Sequence, residues 1–118
     1  MINHWTPTEQ QRSLILPILC EYDKFIRRDW DDYDAENVIN KTMLDFTGWP
    51  INPFQLQTLF EEIGYEVIDR EHNGWECDFW IYMKPKDNAI LAFGEDRIVI
   101  SGCGMTFELN VNVYGVDV

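Results

Sequence analysis

Glu76 and Asp78 stand two residues apart in Trp75-Glu76-Cys77-Asp78-Phe79-Trp80. In an extended chain that spacing puts both carboxylates on one face. Two such groups can bind Mg²⁺ or divide acid and base work between them, as in a metal-dependent hydrolase. That chemistry also needs a cation to meet the substrate. Lys84 shares the face but stands three alternating steps further along. Convergent His, Lys or Ser side chains are missing from the neighbourhood. His4 and His72 are the only histidines, far apart and without H-x-x-x-H spacing, so they read as surface residues. Cys103 lies between Gly102 and Gly104. A nucleophilic thiol needs a base to ionise it, and the simpler expectation is a turn in which Cys103 fills space.

Asp29, Asp31, Asp32, Asp34 and Glu36 form the densest acidic stretch, with no base among them. An EF-hand loop requires Gly at its sixth position and Glu at its twelfth. Counted from Asp29 the sixth residue is Asp34; counted from Asp32 the sixth is Asn37 and the twelfth Met43. Calcium is therefore not expected, and no cofactor or metal is. The acids suit either a helix N-terminus, where the dipole favours negative charge, or a docking surface for a basic partner. Trp80 and Tyr82 alternate with Phe79, Ile81 and Met83. If helices cover the second set, Trp80 and Tyr82 face out, as aromatic anchors of an interface do, with Glu76 and Asp78 at their rim.

The elements that would position these residues are legible in outline. Thr6-Pro7-Thr8-Glu9 reads as a capping box. Ile15, Ile18, Leu19, Tyr22, Phe25 and Ile26 follow at helical spacing, with Pro17 expected to kink or split the helix. Asp34 would cap a second helix carrying Ala35, Val38, Ile39, Met43 and Phe46. Asn52-Pro53-Phe54-Gln55 starts a third, ending at Gly64. Beyond Gly64 the period falls to two. Strands are expected over 65–70, 75–84, 89–93, 97–101 and 105–113, joined by short turns such as His72-Asn73-Gly74. The expected fold is a single α+β domain over residues 1–118, with three N-terminal helices packed on one face of an antiparallel meander of about five strands.

The 118 residues include 21 acids and nine Lys or Arg, a formal charge of −12 and a pI near 4.3. The excess is even: residues 1–63 hold eleven acids and five bases, residues 64–118 ten and four. Such a surface argues against direct contact with nucleic acid or anionic membrane and for a basic protein partner. The N-terminus shows no secretory pattern, and the longest apolar run, Leu14 to Cys20, is far short of a membrane span. Three cysteines without C-x-x-C spacing suggest reduced, mostly buried thiols in the cytoplasm.

In size, acidity, aromatic-rich α+β make-up and the segment Asp29-Trp30-Asp31-Asp32-Tyr33-Asp34, the chain resembles the small immunity proteins of bacterial contact-dependent, or polymorphic, toxin systems. These share no signature motif, so no residue roles carry over. The resemblance implies a non-catalytic cytoplasmic protein, a monomer or weak dimer, that neutralises a nuclease-like toxin. A phage-encoded inhibitor of a host defence or DNA-handling protein has the same character. On either reading the partner-binding candidates are Asp29, Asp31, Asp32, Asp34, Glu36, Glu76, Asp78, Trp80 and Tyr82. Association with a basic partner is expected to slow as salt rises, because the charge acts over roughly one Debye length, about 10 Å at 0.1 M salt. Stopped-flow association rates that stay flat between low and physiological salt would remove electrostatic steering.

Overall fold

Thr8, two residues later than the sequence suggests, begins the first helix. Its hydroxyl accepts the Gln11 N–H at 3.1 Å, and its own N–H donates to Gln11 Oε1 at 2.7 Å. The capping box is thus Thr8–Gln11 rather than Thr6–Glu9. A computed structural model describes residues 6–27, 42–73 and 77–111. Helix α1 (Glu9–Ile26) runs through Pro17 without splitting; the ring sits on the exposed side, and Ile15, Leu19, Tyr22 and Ile26 are buried. Helix α2 (Pro53–Glu62) starts as expected, with Asn52 and Gln55 exchanging hydrogen bonds of 2.8 and 3.0 Å. Gln11 Nε2 then donates to Gln55 Oε1 at 2.9 Å and to the Pro50 carbonyl at 2.8 Å. The two helix starts are thereby tied together. The bridge from Arg12 to Glu62, 2.9 Å, fixes the start of α1 against the far end of α2.

Five antiparallel strands form one sheet: β1 (Leu44–Asp45), β2 (Tyr65–Asn73), β3 (Asp78–Pro85), β4 (Ile98–Cys103) and β5 (Thr106–Val111), in the spatial order β1-β5-β4-β3-β2. The last four make the expected meander. Several expectations are corrected. The described residues hold two α-helices rather than three. The helices do not all precede the sheet, because β1 lies between them in sequence and pairs with β5. The helix expected from Asp34 falls mostly on residues outside the described ones. Of its described end, Thr42 is helical, but Leu44 and Asp45 form a strand and Phe46 stacks on Phe107 at 5.6 Å between ring centres. The apolar spacing of Met43 and Phe46 imitated a helix, while the contact that decides the segment is remote in sequence. The strand expected at 89–93 is instead loop and a 3₁₀ turn (Ala92–Gly94), in which Phe93 has φ +62°. Leu91 and Ala92 still reach the core.

The core lies between the helices and one sheet face. Leu56, Leu59 and Phe60 of α2 and the buried side of α1 meet Ile81, Met83, Ile98, Ile100, Phe107 and Leu109. A polar chain closes its edge. Buried Tyr65 donates its hydroxyl to Asp23 Oδ1 at 2.5 Å. Arg27 Nε pairs with the same oxygen at 2.8 Å, and Arg27 Nη1 reaches Asp87 at 2.9 Å. That chain links β2, α1 and the turn after β3. The Tyr22 hydroxyl donates to the Thr42 carbonyl.

Burial raises both phenols far above the ordinary tyrosine range; the Asp23 carboxylate adds to the effect at Tyr65, and Tyr65 itself at Tyr22. A raised folded-state pKa means the unfolded chain loses its protons first. Stability is then fully present below the unfolded value, about 10, and falls above it. The expected slope is about 2.7 kcal/mol per pH unit for the two phenols together, at about 1.4 for each proton. Urea unfolding at pH values above about 10 measures it. Tyr65→Phe should roughly halve the slope, and an unchanged slope would show that Tyr65 ionises in place.

Candidate functional site

The sheet has a second face, and its residues follow from the register. Ile81 and Met83 point to the helices, so Trp80, Tyr82 and Lys84 point away, as strand alternation requires. Val99 and Ser101 of β4 lie opposite Tyr82 and Trp80, Asn110 and Glu108 of β5 opposite those, and Asp45 of β1 opposite Glu108. On β2 the register shifts between Val67 and Asp69, a bulge at Ile68. The extra residue reverses the alternation. Asp69 and Glu71 therefore share the outer face with Tyr82 and Trp80, while Arg70 turns to the helix side and donates to Gln57 Oε1 at 2.7 Å.

The outer face thus gathers Glu66, Asp69, Glu71, Asp78, Glu108 and Asp45, with Lys84 paired to Glu66 among them and Arg97, just before β4, within electrostatic reach of Asp69. Lys84 Nζ lies 3.8 Å from Glu66 Oε1 and leaves the other carboxylates unneutralised by it. Asp45 and Glu108 are direct cross-strand partners, a like-charge pairing that destabilises a sheet. Hydrogen bonds from the Thr47 N–H, at 2.9 Å, and from its hydroxyl hold the Asp45 carboxyl below the ordinary range, so it stays ionised. Beside the pair is a cavity of about 260 Å³ whose lining includes Asp45, Thr47, Ser101, Thr106 and Glu108. All described helical elements contribute to the core on the opposite face. The arrangement concentrates negative charge on this face.

The sequence candidates divide three ways. Asp78 and Trp80 lie on the outer face, both half-buried. Tyr82 shares that face, but only 4% of it is exposed, so the expected exposed aromatic pair reduces to Trp80. Its neighbours across the sheet are Asp69 on β2 and Val99 on β4, and Trp80 precedes it on the same face. Asp29, Asp31, Asp32, Asp34, Glu36 and Glu76 lie outside the described residues. Among the described residues no group of three or more His, Cys, Asp or Glu could hold a metal ion. Asp45, Glu71 and Glu108 were missed. Glu108 alternates visibly with Phe107 and Leu109, but Asp45 sat in an expected helix and Glu71 depends on the bulge.

The cysteines also differ from expectation. Cys77 and Cys103 form a disulfide, with Cα atoms 5.2 Å apart, and Cys20 is free and exposed. Gly102, beside the bridge, admits no side chain: a Cβ there would come within 2.2 Å of the Thr106 carbonyl oxygen. Gly104, at φ +60°, begins the two-residue turn into β5. Cys103 is thus a bridge residue rather than filler, and two of the three cysteines are oxidised rather than the reduced thiols expected. No described helix is long and apolar enough to cross a membrane.

A bridge spanning 26 residues is worth about 3 kcal/mol through the unfolded chain. Dithiothreitol is expected to lower the melting temperature by about 12 °C, and Cys103→Ser to make the protein insensitive to it. Thiol titration of the native protein should find Cys20 alone before reduction; three reactive thiols at the outset would contradict the bridge. No family model matches the chain, and neither does any curated protein or solved structure.

Proposed function

We propose that the protein is a non-catalytic, acidic binding protein that neutralises a basic partner enzyme by stoichiometric docking, in the manner of an immunity protein against a nuclease-like toxin. One observation carries this reading: a sheet face left free by the described helices carries six carboxylates and Trp80, against Lys84 and the nearby Arg97. An enzyme that grips a polyanion presents a cationic groove, and a carboxylate-rich face is its electrostatic complement. A half-buried Trp at the centre of such a face can become fully desolvated on docking, the setting in which hot spots occur. The same chemistry fits a phage-type inhibitor of a host defence protein, so the toxin and phage settings differ in partner rather than in mechanism. Action in the cytoplasm requires that the Cys77–Cys103 bridge survive there or be dispensable.

The test is neutralisation. The chain is used to recover its partner from the source cell, and the partner's activity is titrated with purified protein. The expected result is a basic enzyme whose activity falls to zero at one equivalent. An acidic partner, or a basic one that stays active when saturated, would overturn the reading. Trp80→Ala should weaken the complex roughly thirtyfold, about 2 kcal/mol, with a melting temperature close to the parent's. Calorimetry of binding and thermal unfolding of the same variant separate loss of an anchor from loss of the fold.

A further inference from the structure

The strand register lines up Glu71, Trp80, Ser101, Glu108 and Asp45 as direct neighbours on β2, β3, β4, β5 and β1. They form a single row running across all five strands on the outer face. With strands spaced about 4.8 Å apart, the row is about 19 Å long. Neither adjoining row is like it. One side has Asn73, Asp78, Cys103 and Thr106; the other has Asp69, Tyr82, Val99 and Asn110, with one carboxylate apiece. The central row carries a carboxylate at one end, two at the other, and an indole between.

None of Glu71, Glu108 and Asp45 makes a salt bridge among the described residues. Most of the described bases have partners already. Arg12, Lys24, Arg27, Lys84 and Arg97 each pair with a carboxylate, and Arg70 donates to Gln57. The row is therefore charge that the described fold does not neutralise, placed where alternation and a bulge turn it outward. Its two-carboxylate end opens into the cavity beside Ser101 and Thr106, whose hydroxyls are added acceptors at a scale that fits one guanidinium rather than a folded element. Trp80 supplies a flat π surface next to Glu71, the pairing on which guanidinium stacks while it bonds a carboxylate.

Resting on the function proposed above, we infer that the partner docks through an arginine-bearing segment laid across the strands along Glu71, Trp80, Ser101, Glu108 and Asp45. One arginine enters the cavity between Asp45 and Glu108, and another stacks on Trp80 against Glu71. An extended segment of about six residues covers the length at about 3.3 Å per residue.

The probe is a short synthetic peptide alternating arginine and glycine, with a glutamate–glycine peptide as its counterpart, titrated at low salt into isotope-labelled protein and followed by NMR. Shifts are expected at Glu71, Ser101, Glu108 and the Trp80 indole N–H, with none from the acidic peptide. Glu71→Gln with Glu108→Gln, which leaves the Asp45–Thr47 hydrogen bond in place, should weaken the arginine peptide about tenfold. Glu9→Gln with Glu21→Gln, an equal loss of charge on α1, should change it less than about twofold. Shifts centred on the helices, or equal weakening by both double variants, would overturn the row while leaving an acidic binding protein intact. Failure of the arginine peptide to bind at all would overturn both.

Discussion

Alternate residues of a strand point to opposite sides, and the described elements pack on only one side of this sheet. Nearly everything else depends on that constraint. On the packed side each buried Leu, Ile or Phe contributes roughly 1.5 to 3 kcal/mol, whereas an unpaired carboxylate placed there would cost several. Ile81, Met83, Ile98, Ile100, Phe107 and Leu109 therefore fix which way each strand faces. Once they face the helices, Trp80, Glu108 and Asp78 have only the outer side left.

Two local devices refine this division. The bulge at Ile68 admits one extra residue, so β2 sends Tyr65 and Val67 inward and then Asp69 and Glu71 outward. Without it, Asp69 would face the helices and Arg70 would lie among the outer carboxylates, neutralising the face. The chain from Tyr65 through Asp23 and Arg27 to Asp87 anchors α1 to the start of β2. At the opposite end, the linked capping boxes hold α1 and α2 in register. The helices are thus fixed at both ends, and the disulfide ties the beginning of β3 to the end of β4.

The outer face is electrostatically strained in a way the core is not. Asp45 and Glu108 oppose each other directly, and Thr47 stabilises the ionised form of Asp45 rather than relieving the repulsion. Such an arrangement costs little in water, where surface charges are well screened, but it becomes favourable when a cation arrives and solvent is displaced. A face of this kind favours recognition over stability. That is the physical content of reading the protein as a docking partner for something basic.

By itself the sequence determined the class of fold, the stop of α2 before Gly64, the capped start of α2, the alternation of β3 and the acidic character of the chain. Each is a local or periodic property: a capping box spans four residues, and period-two alternation is visible within one strand. Only the tertiary structure decided the rest. Leu44–Asp45 became a strand because β5, more than sixty residues away, offers it an edge and Phe107 offers Phe46 a ring. Residues 89–93 left the sheet because Ile98–Cys103 took the place beside β3. Tyr82 is buried although its parity points outward, since burial depends on what gathers around a side chain and not on which way it points. The row from Glu71 to Asp45 joins five strands whose order and register arise from pairing between distant segments, and no local pattern encodes that. Charge was therefore legible as an amount, while its concentration on one face required the fold.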